Sequence, residues 1–208
     1  MEEQKIIERL QAHEPIILGE ETVKNYSIMI PFIKKDDGLH LLFEVRSLTM
    51  RRQPGEICFP GGRVDSDDDG AKGAAVREAR EELGLCDASI SRVYSFGKLV
   101  SPFGMTISTY VGFLDNESEI EPNPAEVEEV FTVPLSFFLN EQPDEHIIRV
   151  EVKPDDGFPY DLIANGREYK WQTRQYTEYF YHYNGRVIWG LTARVLKEFI
   201  DTILIENE

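Results

Sequence analysis

Arg77-Glu78-Ala79-Arg80-Glu81-Glu82-Leu83-Gly84-Leu85 decides how the rest of this 208-residue chain is read. Glu78, Glu81 and Glu82 stand at i, i+3 and i+4, so a helix puts all three carboxylates on one face. Like charges placed this way destabilise a helix by roughly 0.2–0.5 kcal/mol per exposed pair, and by more when partly buried. A purely structural helix gains nothing from them. A cation would compensate, and donors that are all oxygen suit Mg2+ or Mn2+. The competing reading is a solvated acidic face, common in a chain with 38 acidic residues against 22 basic ones. Spacing alone leaves the two readings balanced.

Outward from this stretch, the pattern predicts a helix from about Ala71 to Leu83, stopped by Gly84. The acidic run Asp65 to Asp69 precedes it and suits a helix N-terminus, where the dipole favours negative charge. Before it, Arg46 to Val64 is rich in Arg, Pro and Gly and reads as a loop, its end Phe59-Pro60-Gly61-Gly62 letting backbone approach a ligand. Tyr26 to Ile33 and Leu39 to Val45 read as strands around the turn signal Lys35-Asp36-Asp37-Gly38. Val93 to Val100, Ile107 to Leu114, Val127 to Val133, His146 to Val152 and Tyr179 to Tyr183 read as further strands, with a helical turn after Pro134. A short helix is expected over about 2–11 and an amphipathic one over about 190–204. With no repeat and no linker, residues 1–208 read as one mixed α/β domain.

The formal net charge of -16 repels nucleic-acid backbones and anionic membranes, so neither is an expected partner. A phosphate-bearing substrate is repelled too, unless metal and a few arginines reverse the field locally. No signal peptide or membrane span is legible, which leaves a cytoplasmic location as the default. Cys58 and Cys86 make no disulfide framework and read as small core residues. The four histidines, His13, His40, His146 and His182, lack metal-ligand spacing. Trp189, the apolar face of the last helix and the alternating aromatics Tyr176 to Tyr183 read as packing. The oligomeric state is not legible, a homodimer being one arrangement open to the chain.

Gly61-Gly62 followed by Arg77 to Leu85 resembles the Nudix box. Its second half, Arg-Glu-apolar-x-Glu-Glu-x-Gly-apolar, matches throughout with Ala79 as the small apolar residue. Its first half departs: Gly62 to Arg77 is one residue longer than the family spacing, and Asp68 or Asp69 replaces the isolated Glu. Upstream, Arg46-Ser47, Arg51, Gly55 and Phe59-Pro60-Gly61-Gly62 are similar to the signature of coenzyme A diphosphatases, a subgroup that carries the longer, Asp-containing box. Ser101 to Leu114, Pro122 to Val127 and Ile188 to Arg194 look like that subgroup's later segments. Glu44 stands where the subgroup usually has Thr and reads as a peripheral change.

The resemblance implies a Nudix fold, a mixed sheet sandwiched between helices (α/β/α), and water attack on a diphosphate with Mg2+ or Mn2+ as cofactor. Carried over by position, Glu78 and Glu82 are the main metal ligands, Glu81 is a third ligand or the general base, and the Gly61 carbonyl is a backbone ligand. Arg77 matches the arginine that pairs with the box carboxylates and holds them. Glu126, Glu128 and Glu129 are alternative sources of the base, although an exposed acidic edge is the reading their composition favours. Arg46, Arg51, Arg52 and Arg63, with Gly61 and Gly62, are the expected substrate contacts, because guanidinium forks match phosphate. The implied reaction cuts coenzyme A or a derivative into adenosine 3',5'-bisphosphate and 4'-phosphopantetheine. Two alternatives stand beside it: a Nudix hydrolase of ADP-ribose or a reduced nicotinamide dinucleotide, and a catalytically silent nucleotide sensor.

Overall fold

In the computed structural model, which describes residues 3–14, 18–19, 22–86, 89–115 and 120–205, two long strands set the frame. β1 (Lys24–Lys35) and β2 (Gly38–Arg46) form a hairpin that pairs only from Phe32↔Leu41 to Lys35↔Gly38. Beyond those pairs the strands diverge, and the connection after β2 fills the gap. Its two short strands, β3 (Ile57–Cys58) and β4 (Gly61–Arg63), pair with β2 and β1 respectively. Between them the Pro60 carbonyl accepts the Met29 N–H at 2.9 Å. The stretch read as loop therefore holds strand pairing at its end. Nothing in Gly61-Gly62-Arg63 favours a strand locally; the open flank of β1 imposes one.

After α2 (Gly70–Leu83) come β5 (Ile90–Ser101) and β6 (Met105–Leu114), and β6 runs parallel to β1 along ten residues. β7 (Val127–Pro134) pairs with β2, giving a mixed seven-stranded sheet ordered β3-β2-β1-β6-β5, with β4 and β7 attached beside it. α3 (Leu135–Asn140) follows. β8 (Asp144–Val150), β9 (Arg174–Tyr183) and β10 (Arg186–Trp189) make a separate three-stranded sheet, and α4 (Gly190–Phe199) continues into a wider π turn over Ile200–Leu204.

Alternation along β1 assigns the two faces of the large sheet. Ile28, Ile30 and Phe32 join Leu41, Phe43, Val195, Leu196 and Phe199 in the main core beneath α4. Met29 faces the other way, onto Ala75 and Ala79 of α2, while Ile33 packs with Leu42 and Leu83. Ala74, Ala75 and Ala79 are fully buried, so α2 approaches the sheet with no long side chain holding it off. The sheet is thus layered between α2 and α4, the α/β/α arrangement expected from the sequence.

Two local expectations are corrected, those for the cysteines and for Trp189. Asp69 is the N-cap of α2, so the acidic run stands at the helix N-terminus as expected, although Asp69 makes no side-chain cap. Cys86 is exposed and Cys58 only half-buried, so neither is a core residue. Trp189 is 42% exposed and stacks on Phe180 at 5.7 Å, outside the core. The expected N-terminal helix is present over Glu3–Gln11, and its first residue, Glu2, lies outside the described residues. No described helix is long and apolar enough to cross a membrane.

Gly84 ends α2 in the left-handed conformation at φ 65°, and a Cβ there would collide with the Glu121 carbonyl. Gly84→Ala is expected to destabilise the protein by more than about 1 kcal/mol, read as a lower urea midpoint at unchanged m-value.

Candidate active site

Arg77 organises the exposed face of α2. Its guanidinium grips Asp68 through two hydrogen bonds, Nε to Oδ1 at 2.8 Å and Nη2 to Oδ2 at 3.0 Å. Nη1 reaches Glu78 at 2.9 Å and Glu81 at 3.2 Å, and Nη2 also donates to the Arg63 carbonyl at 3.2 Å. The neighbouring guanidinium holds the Asp68 carboxyl at about 2. The Asp68 side chain is only 5% exposed, so this carboxylate of the acidic run is committed to Arg77.

Glu82 points the other way, under β4. It is 3% exposed, and its Oε2 accepts the Gly61 N–H at 2.8 Å. Gly62 lies so close to Glu78 that an added Cβ would fall on the carboxylate, while a Cβ on Gly61 would strike the Ser27 carbonyl. The glycine pair therefore touches both inner carboxylates of α2; a larger residue at Gly61 meets backbone, and one at Gly62 displaces the Glu78 carboxylate. Burial pushes Glu82 up to about 9, helped by the charges of Glu44, Glu78 and Glu126 and opposed by the Gly61 N–H. Burial raises Glu78 as well, with Arg77 pulling against it. Glu81 is 55% exposed at the rim.

Three backbone ties bring a second segment to this face. The Glu121 and Asn123 N–H groups donate to the Leu83 and Glu82 carbonyls at 3.0 and 2.9 Å, satisfying the open end of α2. The Ser47 N–H donates to the Glu126 carbonyl at 2.8 Å, joining that segment to the end of β2. Glu126 consequently lies among the charges that raise Glu78 and Glu82. Of the other carboxylates weighed for the base, Glu129 is engaged by Arg186, which lowers its pKa, and Glu128 is exposed.

The arginines are dispersed. Arg46 is half-buried, with a buried Nε that finds no hydrogen-bond partner, and its backbone closes the turn by pairing with Gly55 and Glu56 at 2.9 Å. Arg51 and Arg52 are exposed on that turn, and the Arg63 side chain is exposed beside β4. Among the described residues, no three His, Cys, Asp or Glu side chains have their donors already gathered around one point. The arrangement fits a cation nonetheless: clustered carboxylates, one of them deeply buried, stand against a glycine backbone that leaves room for nothing else.

The sequence profile of the NUDIX domain matches residues 26–152. The chain belongs to the Nudix hydrolase family. That class acts on nucleoside diphosphate derivatives. The chain is 40% identical over 117 residues to the mouse peroxisomal coenzyme A diphosphatase NUDT7, across 56% of this chain and 50% of that protein. It is 28% identical over 182 residues to NudL of Photorhabdus laumondii, named as an uncharacterized Nudix hydrolase, across 88% of this chain and 86% of the relative. The solved Nudix hydrolase RenU from M. smegmatis is 20% identical with a TM-score of 0.45, across 56% of this chain and 74% of that one.

One residue at this Nudix site escaped the sequence reading. Glu44, read as peripheral, is 1% exposed on the α2 side of β2. Cys58 Sγ donates to its Oε1 at 3.1 Å, and burial first, then Glu126 and Glu78, push its carboxyl up to about 7 against Cys58 and Arg46. Burial and the same Glu44 push the Cys58 thiol up. Alternation places residue 44 on the same side as Leu42, which packs on Leu83 next to Glu82. That parity was available in the sequence, since the strand read over Leu39 to Val45 already includes residue 44.

The Glu82 shift has a direct consequence for stability in the absence of metal. An unfolded Glu ionises near about 4.3, whereas the folded one holds its proton to about 9. Folding therefore loses stability as pH rises across that window, and Glu82→Gln is expected to flatten the fall. Urea midpoints in EDTA at pH 5, 7 and 9 check this; equal slopes for both proteins would show that Glu82 burial is not responsible.

Proposed function

We propose that this chain hydrolyses the diphosphate linkage of coenzyme A or one of its derivatives, giving adenosine 3',5'-bisphosphate and a 4'-phosphopantetheine product. The observation that carries a diphosphatase reading is the contact of Gly61-Gly62 with Glu78 and Glu82, which presents carboxylates and backbone together. Coenzyme A as substrate is supported by the likeness to a relative named for that activity and by the arginine-bearing connection after β2. The match spans half of that relative's length.

Glu78, Glu81, Glu82 and the Gly61 carbonyl are the groups that hold Mg2+ or Mn2+. When bound, such an ion neutralises diphosphate charge and makes water a stronger nucleophile. The residues of the chain do the rest. Arg77 keeps Glu78 and Glu81 apart from one another and oriented. Arg46 offers a buried Nε without a protein partner, a donor suited to a phosphate oxygen, and Arg51, Arg52 and Arg63 add mobile positive charge in an otherwise acidic protein. The proton of the attacking water goes to Glu81 or to Glu126, both on the open side of the carboxylate group. Location in the cytoplasm remains part of this reading, as does a small-molecule substrate rather than nucleic acid or membrane.

Incubation with coenzyme A and each metal in turn, followed by mass identification of products, is expected to yield the two named fragments only when metal is present. Faster turnover of ADP-ribose under the same conditions would remove coenzyme A as the substrate. Glu82→Gln is expected to lower turnover by on the order of 10²-fold or more while the protein stays folded. Unchanged turnover would remove Glu82 from the site.

A further inference from the structure

Glu44 is an expensive residue to keep where it is. Buried at 1% exposure, its carboxylate has one oxygen against a thiol, a weak donor, and the other, Oε2, without any hydrogen-bond partner. Charged groups buried with so little compensation are paired or coordinate metals in other proteins. The neighbouring geometry says which. Cys58, its cross-strand partner, lies three residues before Gly61, whose N–H holds Glu82. One short stretch of backbone thus touches Glu44 at Cys58 and Glu82 at Gly61. The field of Glu44 acts on Glu82, and both carboxylates act on Cys58. Glu44 stands on the side of β2 that faces α2, as Leu42 does against Leu83.

We propose that Glu44 is a fourth carboxylate of the divalent-cation site, its free Oε2 holding Mg2+ or Mn2+ from the sheet side opposite α2. This rests on reading the α2 carboxylates as the cation platform. The cation, small and hard, accepts an additional carboxylate oxygen readily, and its charge supplies what the thiol does not. Glu78, Glu81 and Glu82 approach from the helix, so a sheet-side ligand brings the donors onto two sides of the ion instead of one.

The test is Mn2+ titration of metal-stripped protein, followed by the electron paramagnetic resonance of free Mn2+ and by calorimetry, for the wild type, Glu44→Gln, Glu44→Asp and Glu82→Gln. Glu44→Gln is expected to weaken Mn2+ binding by about 10–100-fold or to remove one ion per chain, the scale seen when groups around a metal are altered. Glu44→Asp should recover part of the loss. In EDTA, Glu44→Gln should melt no lower than wild type, since the variant sheds an uncompensated charge and keeps the volume. If Glu82→Gln weakens Mn2+ binding while Glu44→Gln binds as wild type, Glu44 is outside the site and the platform stands. If neither changes binding, the platform reading falls and Glu44 falls with it. If Glu44→Gln melts lower in EDTA and Glu44→Asp restores no binding, Glu44 is a packing residue and the proposal is overturned.

Discussion

The close approach of Gly61-Gly62 to the carboxylates of α2 is the constraint on which the rest of the structure depends. Glu82 is buried under β4 with a single backbone N–H for company, and Glu78 lies where any Cβ on Gly62 would be. For that contact to exist, α2 must sit low on the sheet, which its alanine face permits. β4 must also lie beside β1, and it can do so only because β1 and β2 part after four residue pairs. The helix end must then stop cleanly, and Gly84 with the Glu121 and Asn123 amides stops it. The hydrophobic packing beneath α4 takes in Phe59 of the connection that carries Gly61-Gly62, and Thr192 of α4 donates to the Ile57 carbonyl of that connection. This packing stabilises the platform from the far side of the sheet, where apolar burial of roughly 25 cal/mol per Å² provides the driving force.

Electrostatics make the same region the least comfortable part of the molecule. The chain carries a net charge of -16, and here the charges of Glu78 and Glu126 add to the burial that raises Glu44 and Glu82. Arg77 relieves the outer members, sharing its nitrogens among Asp68, Glu78 and Glu81. It has no nitrogen left for Glu82, which relies on the Gly61 amide. Asp68 is thus held ionised, while burial pushes Glu78, Glu82 and Glu44 toward the protonated state. Such a division suits a site that takes up a divalent cation and releases protons as it does so.

The long elements were legible because β1, β2 and β6 are apolar runs bounded by turn residues and α2 repeats its apolar side at helical spacing. The Glu78-Glu81-Glu82 face followed from that helical spacing, and the α/β/α layering from the family resemblance. What was not legible depended on neighbours distant in sequence. β3 and β4 are strands only because β1 and β2 diverge. The acidic run was legible as the N-terminal flank of the helix, whereas the turn of Asp68 toward Arg77, nine residues on, was not. Glu126 looked like an exposed acidic edge, but the amides capping α2 carry its segment back to the carboxylate face. Glu44 looked peripheral because it was read only as a departure from the usual Thr, while its burial comes from elements distant in sequence.

The departure in the first half of the family box has a physical explanation in the Asp68–Arg77 fork. Asp68 meets the Nε and Nη2 edge squarely, at 2.8 and 3.0 Å, while its own Oδ2 also accepts the Asp65 amide at 2.8 Å and stiffens the turn. With that edge of Arg77 engaged, Nη1 is the nitrogen that faces Glu78 and Glu81, and it spans both. The carboxylate ahead of the helix acts on the site through the arginine it anchors, which is why its identity can shift while the three glutamates of the helix remain where the chemistry needs them.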